Sequence, residues 1–366
     1  MAHMLKEVME EVTDFLSRLI KINTTNPPGN EIKAAKFVAE DLKKDGFKCD
    51  LFESAPGRGS VVTRLKGTGE KPNLLLLSHL DVVAANPKEW SVDPFSGLVE
   101  DGFVWGRGAL DMKGMTAVEV MALKLLKRNK MKLKGDIILA ATADEEKGGE
   151  AGAGWLVQNH LDKVKADNVL NEGGGTVIRI GGKDIYTIQT AEKGILWFRV
   201  RAKGCPGHGS VPGMADNAIM RMNKVIEKLG NYRAGMVLVP TVKQFLTEAA
   251  KADKTYEQAI NVFSQNPSMG DQLLDMLAKT DKEKAEQLRA MLRMTITPTM
   301  VNAGTKENII PSGCETVFDC RVLPGQTPNQ ALATIKDLLK DVGLDKLEFE
   351  IIQANEPSES SLDTPL

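Results

Sequence analysis

The chain has few of the residues on which metal and redox sites are most often built. Only four histidines occur in 366 residues, so a site that needs imidazole has few positions to draw on. The four cysteines, Cys49, Cys205, Cys314 and Cys320, show no C-x-x-C spacing. The absence of that spacing fits reduced, structural thiols. No apolar run approaches the roughly 20 residues that cross a bilayer. The opening stretch MAHMLKEVMEEVTDFL lacks the apolar core of a secretory signal, so the expectation is a cytoplasmic protein with no membrane partner. A formal net charge of −2 gives no electrostatic basis for binding nucleic acid. Internal repeats and low-complexity tracts are lacking as well.

What is present describes an ordinary globular protein, with 42% hydrophobic and 26% charged residues. The length suits two domains at about 100–200 residues each. Residues 5–22 carry Val8, Val12, Phe15, Leu16 and Leu19 at helical spacing. Asn26-Pro27-Pro28-Gly29 breaks the chain, and a second amphipathic helix runs to about Lys44. Strand-like segments follow near 48–53 and 60–65. The stretch LLLLSHLDVV from Leu74 to Val83 then reads as a strand buried on both faces, as in a parallel sheet.

His79 and Asp81 fall where that strand should end, the edge at which open α/β sheets collect ligands. A carboxylate two residues after a histidine can orient the ring while the other nitrogen binds a metal. Alone, His-x-Asp is equally an ordinary strand end. Asp111 precedes a long helical pattern, where the common role of a lone Asp is an N-cap. A strand at 136–143 runs into Asp144-Glu145-Glu146, and a short apolar run ends at Glu172. Acidic clusters are usually just solvated. Four successive strand-to-loop junctions bearing His79, Asp111, Glu145/Glu146 and Glu172 are not explained by solvation.

Past Ala191 the pattern changes. Ile195 to Ala202 alternates as a strand, GCPGHGSVPGMADN is a Gly/Pro-rich turn, and a helix spans about 217–229. Strands at 295–303 and 315–323, a helix at 329–342 and a strand at 346–354 complete a βαββαβ, ferredoxin-like order. An insertion at about 231–294 is helical and Met-rich, its methionines read as core filler. His160, inside WLVQNHL, is read as structural.

Two divalent ions sharing a carboxylate can lower the pKa of water, and an unligated carboxylate can then take its proton. Adjacent Glu145 and Glu146 fit that division, and the composite would hydrolyse an amide or ester. The motifs SHLDVV, GRGALDMKG, ADEEKGG, NEGGG, GHGSVP and NIIPSGCETVFDCRVLPG occur in the order of one family. The chain resembles the co-catalytic zinc amidohydrolases and exopeptidases that include aminoacylase, carboxypeptidase G, acetylornithine deacetylase and succinyl-diaminopimelate desuccinylase. It is most similar to the carboxypeptidase S and N-acyl-amino-acid hydrolase branch.

The resemblance implies an α/β catalytic domain with a mixed, mostly parallel sheet over 1–190, and a ferredoxin-like lid and dimerisation domain over 191–356. It implies two divalent metals, zinc foremost, with cobalt or manganese as alternatives. His79, Asp111, Glu146 and Glu172 would be the ligands, with Asp111 bridging and followed by a cis peptide. Asp81 would orient His79, and Glu145 would be the general base. His208 would stabilise the oxyanion in a partner subunit's site, while Asn308 and Arg321 would hold the substrate's carbonyl and carboxylate. The implied substrate is an N-acyl amino acid or a short peptide with a free carboxylate. Deacylase, dipeptidase, carboxypeptidase and non-catalytic binding relative all remain open. The family also has a metal-binding His in a C-terminal return segment, and no histidine follows His208. The expectation is therefore a fragment that holds its second metal weakly.

Overall fold

The structure is a computed structural model that describes residues 2–364. It forms two compact units that divide between Gly173 and Gly174.

The first unit opens with helices α1 (Ala2–Ile20) and α2 (Glu31–Lys44), then strands β1 (Cys49–Glu53), β2 (Gly59–Leu65) and β3 (Leu74–His79). A short hairpin, β4 (Leu98–Glu100) and β5 (Phe103–Trp105), leads to helix α3 (Lys113–Arg128) and strand β6 (Ile137–Thr142). Short helices α4 (Ala153–Asn159) and α5 (Leu161–Val164) precede β7 (Asn168–Leu170). The sheet order is β1-β2-β6-β3-β7, parallel through β6, β3 and β7 and antiparallel through β1, β2 and β6.

Four consecutive leucines suit β3 because both of its faces are covered. Leu76 packs with Phe15, Val38 and Leu123 from the three long helices, whereas Leu75 packs with Ile138, Leu156 and Val164 on the other side. Successive strand residues point to opposite faces, so an apolar pattern without alternation is what a doubly covered strand requires. The carboxyl ends of β3, β6 and β7 lie side by side in parallel register, which brings residues 79, 142 and the loop after 170 to one edge.

The second unit begins with a hairpin, β8 (Gly174–Ile180) and β9 (Lys183–Ile188), and the short β10 (Ala191–Glu192). Then come β11 (Gly194–Lys203), β12 (Gly207–His208) and α6 (Ala218–Gly230). Four helices follow: α7 (Pro240–Ala250), α8 (Thr255–Gln265), α9 (Pro267–Ala278) and α10 (Lys282–Met291). The chain returns through β13 (Thr295–Ala303), β14 (Ile309–Ile310), β15 (Gly313–Val322), α11 (Pro328–Leu338), β16 (Leu347–Asn355) and β17 (Ser358–Glu359).

The main sheet of this unit has the order β13-β15-β11-β16 and is antiparallel throughout. Alternation in β11 and β15 buries Phe198, Val200, Phe318 and Cys320 against α6 and α11. The opposite face carries ion pairs such as Arg199–Glu350 at 2.8 Å and Arg201–Glu315 at 3.2 Å. Helices α7 to α10 surround a separate core with Leu246, Phe263 and Leu274. Met236 and Met291 pack against that core, but Met269 and Met276 stand exposed, so the filler reading holds for only some of the methionines.

Candidate metal centre

His79 ends β3 almost completely buried. Its Nδ1 lies 3.0 Å from the Asp81 backbone carbonyl and 3.4 Å from the Asp81 carboxylate. A carbonyl can only accept, so Nδ1 carries a proton, which leaves Nε2 as the nitrogen that faces the carboxylates and that a cation would take in place of a proton. The orienting bond expected from the Asp81 carboxylate therefore comes first from that residue's main chain. The Asp81 carboxylate instead accepts Glu145 N–H at 3.0 Å on one oxygen, and Glu146 N–H at 3.1 Å and Asn26 Nδ2 at 2.8 Å on the other.

Three carboxylates approach Nε2: Asp111 at 3.1 Å, Glu172 at 3.6 Å and Glu145 at 3.7 Å. Asp111 is not an N-cap. Met112 occupies that position without a side-chain cap bond, and the Asp111–Met112 peptide is cis. Glu146 has one oxygen bound to Val83 N–H at 3.2 Å. Single donor atoms of His79, Glu145 and Glu172 lie within 4.8 Å of one another, as do those of His79, Asp111 and Glu146.

The local chain explains this convergence. Asp144 takes a left-handed conformation (φ 72°), which Asp tolerates better than most residues, and starts a 3₁₀ turn over Glu145–Lys147. Gly152 closes that turn onto the end of β6, where a Cβ would stand 1.7 Å from the Ala143 carbonyl oxygen. Both glutamates are thereby held at the mouth of β6 beside His79.

The electrostatics favour a cation. Burial opposes an imidazolium at His79, yet Asp81 and Glu172 outweigh it and raise the pKa to about 11. Burial also pushes Glu145 up to about 7, helped by Glu172, Glu146 and Asp81. Burial and then Asp111 raise Glu146, while the hydrogen bond from His79 lowers Glu172. One imidazole nitrogen and several carboxylate oxygens at this spacing fit a divalent ion of the zinc, cobalt or manganese type.

His208, Asn308 and Arg321 lie in the second unit. β12 pairs with β14, and Gly209 N–H donates to the Asn308 carbonyl at 2.8 Å, so His208 and Asn308 share one loop cluster. His208 Nδ1 accepts from Ser210 N–H at 3.2 Å, with Ser210 Oγ at 2.7 Å. The ring proton accordingly sits on the exposed Nε2. Arg321 on β15 forks onto Asp319 at 2.7 and 3.1 Å. His160 packs in the first unit between Phe52 and Trp155, with ring centroids 4.4 and 5.0 Å away.

The chain has counterparts among known proteins. The model of "Peptidase family M20/M25/M40" matches residues 75–366. The chain belongs to this family. It is 30% identical over 305 residues to the N-fatty-acyl-amino acid synthase/hydrolase PM20D1 of Mus musculus, covering 79% of this chain and 57% of that protein. It is 28% identical over 314 residues to aminoacylase-1 of Sus scrofa, covering 83% and 64%. The chain thus spans less than two thirds of the length of these relatives.

Among solved folds it is similar to an M20 family metallo-carboxypeptidase from Sulfolobus solfataricus, with TM-score 0.70, 21% identity, and coverage of 97% of this chain and 80% of that one. A dinuclear metal binding peptidase of the M20 family from Bacillus subtilis gives TM-score 0.60 at 15% identity, covering 98% and 77%. By their printed names these relatives are a synthase/hydrolase and an aminoacylase, and the solved folds are a metallo-carboxypeptidase and a dinuclear metal binding peptidase.

Sequence reasoning passed over Asn26, Arg58 and Asp144. Asn26 was legible only as part of a chain break and Arg58 not at all, because their partners are distant in sequence. Asp144 stands beside the glutamates, but nothing in the spacing separates a ligand from a support.

Proposed function

We propose that the chain is a two-cation amidohydrolase acting on N-acyl amino acids or short peptides with a free carboxylate. The observation that carries this reading is the convergence of Asp111, Glu145 and Glu172 on Nε2 of one buried histidine, at 3.1, 3.7 and 3.6 Å. The names of the mouse and pig relatives support an N-acyl amino acid as substrate.

His79, Asp111 and Glu172 would hold one ion, and Asp111 with Glu146 the other, zinc being the best match to these donors. Ions bound there supply Lewis acidity toward a carbonyl oxygen and toward water. Glu145 is assigned as general base. Its half-exposed carboxylate makes no hydrogen bond among the described residues, whereas Glu146 is anchored by Val83. It takes a proton from the attacking water as the C–O bond forms. As the C–N bond breaks, that proton passes to the departing amine nitrogen, leaving an acyl carboxylate and an amino acid.

The second unit is assigned as lid and dimerisation unit in a homodimer. The Nε2–H of His208 suits an oxyanion and the Asn308 amide suits a carbonyl. The Arg321 fork suits a carboxylate that displaces Asp319. The four free thiols support a cytoplasmic location.

Glu145→Gln should lower turnover by about 10²–10⁴-fold with ion content unchanged, measured over N-acyl amino acids, dipeptides and longer peptides. Near-normal turnover would remove Glu145 from the base role. Ion binding without hydrolysis of anything in the panel would favour a binding protein. Sedimentation of the same samples tests the dimer, and monomer alone at micromolar concentration would count against it.

A further inference from the structure

Residues 24–26 are laced to the segment that follows His79. Thr24 Oγ1 donates to the Leu80 carbonyl at 2.6 Å, Asn26 N–H to Val82 O at 2.9 Å, and Val82 N–H to Thr24 O at 3.2 Å. This anchoring holds the Asn26 side chain in a buried position with a defined amide orientation. Its Nδ2 donates to Asp81 Oδ2 at 2.8 Å and to Asp144 Oδ1 at 3.1 Å, and its Oδ1 accepts from Arg58 Nη1 at 3.2 Å.

Arg58 is only 8% exposed and sits at the centre of this polar group. Besides Asn26 it donates to the Pro28 carbonyl at 2.9 Å and to Asp144, and it pairs with Glu31 at 3.0 Å. Room for its guanidinium depends on Gly29, where a Cβ would stand 1.6 Å from Nη1 and where φ is 80°. Asp144 Oδ2 accepts Ala151 N–H at 2.9 Å, which closes the turn bearing both glutamates. Asp81 accepts the main-chain N–H groups of Glu145 and Glu146, and its carbonyl meets His79 Nδ1, so one unbroken set of bonds links Arg58 to His79 and to the turn bearing both glutamates.

We propose that Arg58 and Asn26 are positioning residues for the cation site, fixing Asp81 and the Asp144–Glu146 turn so that His79, Glu145 and Glu146 converge before an ion arrives. The proposal rests on the reading of the cluster as a cation site. The physical reason is preorganisation. Carboxylates crowded around one ring repel one another, and supports that fix them in place raise the affinity for an ion that would otherwise have to gather them.

A buried arginine among acids could equally serve stability alone, so the test needs a readout that stability does not move. Co²⁺ binding, followed by calorimetry and by the visible absorption of the bound ion, supplies one. Arg58→Met should weaken Co²⁺ binding by roughly 10–100-fold and alter the spectrum. Asn26→Ser keeps the Arg58 contacts to Asp144 and Glu31 but cuts the link to Asp81. It should lose about tenfold or more while melting close to wild type, and it decides the matter if Arg58→Met does not fold. Arg64→Met, which breaks the Arg64–Asp136 pair at the opposite end of the strands, should lower the melting temperature and leave Co²⁺ affinity and spectrum unchanged. Folded Asn26→Ser or Arg58→Met with wild-type affinity and spectrum would overturn the proposal. Failure of the wild-type protein to bind Co²⁺ would instead overturn the cation-site reading beneath it.

Discussion

Glu119 shows how one side chain can make stability depend on pH. It lies on α3, 5% exposed, against the strand that carries His79. Among the described residues, neither of its carboxyl oxygens has a partner in hydrogen-bonding geometry, nor does Ser78 Oγ nearby. Burial pushes its pKa up to about 7, with only the Ser78 hydroxyl acting against that. A raised carboxyl favours the fold while it is neutral. Its contribution is therefore whole at acidic pH and is lost as pH climbs from the unfolded value of about 4.3 through 7. Glu119→Gln should be more stable than wild type at pH 8, by roughly 1–3 kcal/mol, and about equal to it at pH 4.5. Urea melts at the two pH values measure this, and identical differences at both would show that the carboxyl titrates normally.

At the scale of elements, the three long helices of the first unit are tied by charge as well as by their apolar faces. Lys124 of α3, 2% exposed, lies 2.6 Å from Glu11 of α1 and 2.6 Å from Asp41 of α2. One turn later Arg128 pairs with Glu11 and with Asp45, each at 2.6 Å. The Arg128 hydrogen bond is the main reason that the Glu11 pKa falls to about 2 and that Asp45 is lowered too. Removing one partner from a buried pair costs more than the pair contributes, because the other charge is left unpaired. Lys124→Met should thus cost about 3 kcal/mol at pH 7. Depressed carboxylates stabilise above their unfolded pKa and lose that effect as pH falls toward 2, so the gap to wild type should narrow below about pH 4. A gap that stays constant from pH 7 to pH 3 would mean that the loss is one of packing alone.

The whole molecule was legible where pattern and burial coincide. The four leucines of β3 and the alternation of β11 and β15 mark strands because each reflects which faces are covered. His79, Asp111, Glu145 and Glu172 were legible as junction residues, and they do meet. The hairpins β4–β5 and β8–β9 were missed, since their residues are largely exposed and carry little periodic signal. Arg58 and Asn26 were missed because their meaning lies in contacts with residues far away in sequence, up to 118 positions from Asn26.

The cores yield the remaining prediction. The buried clusters of the first unit draw on residues 15 to 164, and those of the second on residues 180 to 347, so no side chain belongs to both. A unit with its own core can fold alone, and nearly 200 residues are enough to bury a core of useful size. Residues 174–365 produced by themselves should unfold in one cooperative urea transition, or in two if α7 to α10 melt separately from the β11–β16 sheet, and should give a dispersed amide spectrum. A broad, non-cooperative transition with strong dye binding would show that this unit depends on the first for its fold, and the division at Gly173 would then be one of contacts without being one of stability.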